Sequence, residues 1–489
     1  MIRTKSFRVV FASLSLAAWG GGPVQANVAL DWSALMMTGI RADTTGPTLA
    51  SRNLAILHLA IYDAVNSVVR SHQPYQFQMT APPRTSVEAA AAGAGHTVLK
   101  VLYPSLSARA DGTLELWQAT TSNDAAITNG LALGRAIAEQ LVAARTSDGS
   151  ATEVPYIPSA APGQWRRTPP FFRPPLTPQW RYVKPFALPE LSAFVPGPPP
   201  ALNSAAYAQD YNEVKVIGAK NSPVRTADQT QIATFWSDFS YTAMPPGHWH
   251  EIAATIAHTK GTGLPETARL MALLSLAQAD GAIVCWETKF NYNLWRPVTA
   301  IQRGSEDDNA ATEPDPNWDH YLASPPFPAY PSGHSVFSKA SSEVLTAIYG
   351  TDAITFTTDS DSLPGVFRTF DSLSRCADEV GMSRIYGGIH FQFDNVAGKA
   401  SGQKIAQYVL GNWLLPNAQL PAVRLVNTPP QTLSLRLHGR TGTTLILESS
   451  ADLHEWNSVA TNAAVAGGVA WPAPTAGATQ QFLRVREVP

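Results

Sequence analysis

The chain has 489 residues, 45% of them hydrophobic and 15% charged, with a formal net charge of −2. That length allows one large domain, a second small one and a sizeable buried core, and the charge balance excludes the basic footprint of a nucleic-acid binder. Mean hydropathy is −0.08, as in a soluble globular chain, and the 39 prolines cluster in stretches that read as long ordered loops.

Residues 1–26 read as a secretory signal. Arg3, Lys5 and Arg8 form the positive start, Val9 to Trp19 the apolar run, and Val24-Gln25-Ala26 a small-residue cleavage site. The run is too short to span a bilayer and no other span is read, so a soluble, exported protein, periplasmic or extracellular, is expected. An uncleaved anchor is the alternative.

From Ala29 to about Tyr103 the pattern is helical. Leu54, Leu57, His58, Ile61, Val65 and Val68 recur at three- and four-residue spacing. His58, Asp63 and Asn66 on or near this face suit helix–helix hydrogen bonds better than catalysis. Alanine-rich helices follow at about 86–102 and 124–145. Residues 154–203 are rich in Pro, Trp, Phe and Arg without periodicity, and read as a loop packed over the core that could wall a substrate channel. Helices resume at about 204–218, 226–238, 249–259 and 264–295.

Several polar clusters are weighed and set aside. His248 and His250 diverge at a helix start and lack a completing ligand for a metal. Glu306, Asp307, Asp308, Glu313 and Asp315 lack the spacing of a calcium loop and read as solvated. Cys285 and Cys376 either pair or remain buried thiols, the latter being the simpler reading.

Three stretches carry chemistry. In the first, Lys289 and Arg296 are seven apart, about two helical turns, so both cations can point one way, and Pro297 would end that helix. Cations on so apolar a segment are costly to bury without an anion. In the second, Pro331-Ser332-Gly333-His334 leads into a helix over about 335–348 and offers a hydroxyl, a bare N–H and an imidazole at a helix N-terminus. In the third, Arg384 and His390 are six apart, and Gly387-Gly388 can fold them toward one point. Asp394, four after His390, is placed to take the hydrogen of its second ring nitrogen. Together these residues suit a highly charged tetrahedral oxyanion, with one His attacking or ligating the central atom and the other moving a proton.

After the helix at about 394–414, prolines 416, 421, 429 and 430 mark a boundary. Short β-type runs with Gly- and Ala-rich turns then give residues 431–489 the character of a small β-sandwich-like module. The expected organisation is a signal at 1–26, an all-α catalytic domain at 27–425 and the all-β module.

The ordered series Lys-x6-Arg-Pro, Pro-Ser-Gly-His and Ser-Arg-x5-His-x3-Asp, filled at 289, 296–297, 331–334, 383–384, 390 and 394, resembles the signature of the vanadium-dependent haloperoxidase and type 2 phosphatidic acid phosphatase superfamily. Its soluble branch of haloperoxidases is the better match, from the wording around Trp295, Phe327 and Tyr386 and from Arg225–Phe239. The resemblance implies a helical bundle with vanadate bound covalently through His390. Lys289, Arg296, Ser332, Gly333 and Arg384 would hold its oxygens. His334 would deprotonate hydrogen peroxide and Lys289 would polarise it before halide attack. Trp286 and Phe327 match aromatic residues on the halide side, and Asp238 would steady one of the arginines. The rival implied by the same motif is a secreted acid phosphatase acting on phosphomonoesters, with phosphate in the site, His390 as nucleophile through a phosphohistidine and His334 as the acid. The expected partners are small molecules: peroxide, halide and an organic acceptor or phosphomonoester. The expectation includes no transmembrane span and leaves oligomeric state open.

Overall fold

The computed structural model describes residues 27–121, 124–417, 422–428, 432–438, 443–452, 455–464, 469–472 and 482–488. The signal reading at 1–26 lies outside them. Most of the described chain up to residue 417 is helical, and its organising element is the helix Leu264–Tyr292. That helix packs against Pro47–Val69, Gly333–Tyr349 and Gln392–Asn412. It is long and apolar enough to cross a membrane, which the sequence reading overlooked. However, 94% of its apolar window is buried inside the protein, as in a core helix.

Why this helix can collect so many neighbours follows from its residues. Almost every side chain from Thr267 to Phe290 is buried, so it is apolar all round rather than striped. Its neighbours approach closely through small residues. A Cβ on Gly402 would lie 2.4 Å from the Val336 carbonyl, so only glycine lets Gln392–Asn412 lie against Gly333–Tyr349 and bring two of the motifs together.

Helix boundaries differ from the sequence reading where prolines are involved. The helix expected at about 249–259 begins at Met244, with Pro245 and Pro246 in its first turn, where a missing N–H costs nothing. Pro297 does not end the preceding helix. That helix closes at Tyr292 on Asn293 in a left-handed conformation, and Pro297 opens a new short helix, Pro297–Gln302. The helix Ser107–Ala119 was not foreseen, because its few apolar residues leave no stripe.

The all-α expectation also needs correcting inside the bundle. Phe356–Asp359 and Phe367–Phe370 form a two-stranded antiparallel hairpin, stabilised by stacking of Phe356 on Phe370 and by Thr357 against Thr369. At the C-terminal end, two three-stranded antiparallel sheets form the expected small β module. Leu435 and Leu437 of one sheet share a core with Leu445, Leu447 and Val485 of the other. Its first strand, Ala422–Thr428, begins ahead of the expected boundary at 425, since the period-two signal there is masked by flanking prolines.

Apart from His248, the polar residues set aside earlier are structural. His58 meets Ser33 of a neighbouring helix and stacks on His250, which bonds the Pro246 carbonyl and Ser275. Asp63 and Asn66 bond the backbone of the loop after their own helix, Asp63 accepting from Tyr75, Gln76 and Phe77. No group of three or more His, Cys, Asp or Glu able to hold a metal ion occurs among the described residues. Asp307 is buried and accepts from Thr312. Cys285 and Cys376 are buried free thiols.

One buried carboxylate helps to hold the proline-rich stretch to the bundle. Asp280, fully buried on the central helix, accepts from the N–H groups of Phe186, Ala187 and Leu188 at 2.7 to 2.8 Å. Asp280→Ala leaves three donors without partners and is expected to lower stability by about 3 kcal/mol. Urea unfolding measures this, and a loss below about 0.5 kcal/mol would show that the loop is held by its apolar contacts instead.

Candidate active site

The three sequence motifs converge at the end of one cavity. Lys289 lies in the last turn of Leu264–Tyr292 and Arg296 just beyond it. Ser332 caps the helix Gly333–Tyr349, accepting from Ser335, and Gly333 and His334 open that helix. Arg384 is in the last turn of Leu373–Tyr386. Gly388, at φ +74° and with a Cβ position 2.2 Å from the Gly218 carbonyl, turns the chain back. His390 follows, and Asp394 lies in the first turn of Gln392–Asn412. The Ser332 N–H donates to the Asp394 carbonyl at 3.0 Å, joining the second motif to the third.

His390 is oriented from both sides. Its Nδ1 is 2.8 Å from Asp394 Oδ2, and its Nε2 is 3.0 Å from Arg296 Nη1. A guanidinium only donates, so Nε2 carries the lone pair and Nδ1 the hydrogen. Burial, then Arg296, Lys289 and Arg384, hold the imidazolium well below the ordinary histidine value. His390 is therefore neutral, with its basic nitrogen on the cation side.

The cations are deeply buried: Lys289 and Arg296 are 0% exposed and Arg384 1%. Burial pushes Lys289 down to about 7, Arg296 to about 9 and Arg384 to about 10. The carboxylates acting on them are Asp394 and Asp238, two against three. Burial likewise pushes the Asp394 carboxyl up to about 7, against the pull of the Phe391 N–H, Lys289 and Arg296. Positive charge is in excess, a costly state in a low-dielectric site unless an anion is bound.

Their hydrogen bonds divide the cations by task. Lys289 Nζ donates to the carbonyls of Pro328, Ala329 and Pro331 at 2.5 to 2.9 Å. All three of its hydrogens are committed to the loop before Ser332, so it gives the site charge and shape, not the free donor that the sequence reading assigned to it. Arg296 donates to the Phe327 and Ile389 carbonyls, and Arg384 to that of Trp236. Arg296 Nη2, Arg384 Nε and His334 Nε2 are buried with no protein partner among the described residues. Such unpaired polar atoms are rare in native interiors and call for an occupant.

The cavity beside this cluster has a volume of about 310 Å³, and Gly333, His334, Arg384 and His390 contribute to its wall. Trp286 and Phe327, with ring centroids 4.9 Å apart, line it as expected. So does the proline-rich stretch at Arg173–Leu176, which places part of this loop in the cavity wall. The Leu176 carbonyl accepts from Trp286 Nε1, and its N–H donates to Pro326, pinning the wall to the aromatic side of the site. Asp238 lines the cavity, but its hydrogen bond goes to His248 rather than to an arginine. Its influence on Arg384 is through charge alone.

The vanadium chloroperoxidase N-terminal domain model matches residues 25–174, and the VCPO second helical-bundle domain model matches residues 269–413, together more than half of the chain. The chain belongs to the vanadium haloperoxidase family. The vanadium chloroperoxidase of Curvularia inaequalis is 26% identical over 270 residues, which is 42% of this chain and 44% of that protein's length. The crystal structure of the first bacterial vanadium-dependent iodoperoxidase superposes with a TM-score of 0.70 at 28% identity, over 78% of this chain and 95% of the other. A holo-type bacterial vanadium-dependent chloroperoxidase shares the fold, with a TM-score of 0.60 at 17% identity, over 75% and 91% of the two chains. All three motifs lie within the second-domain match.

The sequence reading missed His248 and the carbonyls of Trp236, Phe327 and Leu176. A backbone acceptor has no residue signature. His248 was visible only as half of a histidine pair with no metal to bind.

Proposed function

We propose that this chain is a vanadate-dependent haloperoxidase that oxidises halide with hydrogen peroxide to hypohalous acid. The carrying observation is the surplus of buried positive charge at His390. Three buried cations, unpaired guanidinium nitrogens on Arg296 and Arg384, and one neutral imidazole whose lone pair faces those cations fit a tetrahedral oxyanion held through nitrogen. When bound, vanadate supplies a Lewis-acid centre that takes up peroxide and opens it to attack by halide.

The protein's part is to hold the oxyanion and move protons. His390, fixed in its tautomer by Asp394, would present Nε2 to the central atom. Arg296 and Arg384 would donate to the oxygens, Ser332 and Gly333 would face them from a helix N-terminus, and Lys289 adds charge while bracing the loop. His334 is neutral, since burial and then Arg384 hold its imidazolium well below the ordinary value. It is thus ready to take a proton from peroxide. Trp286 and Phe327 form the aromatic side that a halide meets, and the apolar cavity limits competing water. The leader-like residues 1–26 support export of the protein.

The decisive measurement is vanadate- and peroxide-dependent bromination or iodination of a phenol dye, run separately with chloride, bromide and iodide. Dye oxidation that needs all three components is expected. Hydrolysis of p-nitrophenyl phosphate without such oxidation would replace this reading with the phosphatase one.

A further inference from the structure

Asp238 lies between two imidazoles. Its Oδ2 is 3.9 Å from His334 Nε2 and its Oδ1 is 3.2 Å from His248 Nδ1. The residue adopts φ +43°, a left-handed conformation unusual for a non-glycine residue and typical of places where surrounding structure enforces a side chain's position. On its far side, His248 Nε2 is 3.1 Å from Thr358 Oγ1 in the hairpin strand. That hydroxyl also lies 3.3 Å from the Asp359 carbonyl. With a carboxylate at Nδ1, that nitrogen carries a hydrogen and donates to Asp238.

The surroundings agree. Burial opposes a charge on His248, but Asp238, Glu251 and Asp359 outweigh it and lift its titration above the ordinary value. The ring packs on Trp236 at 4.6 Å, the residue whose carbonyl holds Arg384. A chamber of about 10 Å³, bounded by Asp238, His248, Glu251, Asp359, Asp361 and Arg41, has room for about one water-sized sphere. Arg41 bridges Glu251 and Asp361 at 2.7 Å, and all three side chains are about one-third exposed. A line of polar groups therefore runs from Asp238 to solvent, apart from the substrate cavity.

We propose that His248 is a positioning residue for His334: by one hydrogen bond it holds the Asp238 carboxylate beside the nitrogen on which His334 carries its proton, and keeps that carboxylate open to the chamber. The inference rests on the haloperoxidase reading. In that reaction halide, hydrogen peroxide and one proton give hypohalous acid and water. The O–O bond breaks, halide gives up two electrons as it bonds one oxygen, and the other oxygen leaves as water. His334 returns the proton it removed from peroxide, and the additional proton comes from solvent. Between these events His334 is cationic near Arg384 and Lys289, and Asp238 offsets that charge.

The test uses the vanadate-loaded full chain with iodide as the halide. His248→Asn can place an amide N–H near the position of Nδ1, His248→Gln near that of Nε2, and His248→Leu offers neither. The Gln and Leu variants are expected to lose at least about tenfold in kcat, with KM for iodide and peroxide and the Kd for vanadate within about threefold of native. The Asn variant is expected to recover kcat to within about threefold. Circular dichroism checks each fold, and the Gln variant carries the test if the Leu variant does not fold. A folded Gln variant with native kcat, an Asn variant as impaired as Gln, or loss of vanadate in either overturns the inference. Absence of vanadate-dependent iodide oxidation in the native chain overturns the haloperoxidase reading and this inference with it.

Discussion

Replacing His390 with alanine is expected to abolish vanadate retention and, with it, all halide oxidation. Removing a residue that merely orients a metal ligand typically costs 10- to 100-fold in affinity, so removing the ligand should exceed about 100-fold. The structure supports a loss of this size because nothing nearby can substitute. Lys289 has its hydrogens on three carbonyls, and the Arg296 and Arg384 guanidiniums have no lone pair to give. His334 meets the Trp236 backbone and faces Asp238. Equilibrium dialysis against vanadate measures the effect. Retention by the alanine variant at near-native affinity would mean that the oxyanion is held by charge alone and that the nitrogen bond is absent. The same geometry fixes a pH dependence. Because burial and three cations keep the His390 imidazolium well below 6.5, Nε2 stays unprotonated as pH falls past that value. Vanadate binding should therefore persist in acid where a free imidazole would be lost, and Asp394→Asn should weaken it by about 10- to 100-fold.

His334→Ala should separate binding from turnover. The residue contributes no cation and no bond to the central atom, so vanadate affinity is expected to stay within about threefold of native. Proton transfer by a positioned side chain contributes about 10² to 10⁴ in rate, and kcat should fall by that amount. Burial and Arg384 depress the His334 imidazolium, so the native enzyme keeps its base form below pH 6.5. Its acid-side limb of kcat against pH should lie beneath that value and be missing from the variant. A variant that turns over at the native rate would assign the proton to another group, and one that loses vanadate would make His334 part of the oxyanion cradle.

The motif residues were legible in the sequence because each belongs to a short run with fixed spacing. Lys289, Arg296, Ser332, Gly333, His334, Arg384, His390 and Asp394 all fall at or around one cavity. The long helices were legible too, since their apolar residues repeat over several turns. What escaped was of two kinds. Pro297 was read as a helix end and proved a helix start, because proline suits both positions and only the path of the chain from Asn293 decides. The hairpin Phe356–Phe370 has too few residues per strand for alternation to stand out.

Lys289 and Asp238 show the limit most clearly. The sequence could place an ammonium near the site, but its hydrogens go to carbonyls of Pro328, Ala329 and Pro331, and no side-chain pattern encodes where a carbonyl points. Asp238 was recognised as an acid near the arginines, yet its hydrogen-bond partner His248 lies ten residues on, brought back by the turn into the helix Met244–Thr259. The sequence by itself determined the chemical inventory: which cations, imidazoles and acids exist, at what spacing, and that burying them together demands an anion. Only the tertiary structure decided which hydrogens remain free for that anion, because hydrogen-bond satisfaction depends on contacts between residues as far apart as Trp236 and Arg384.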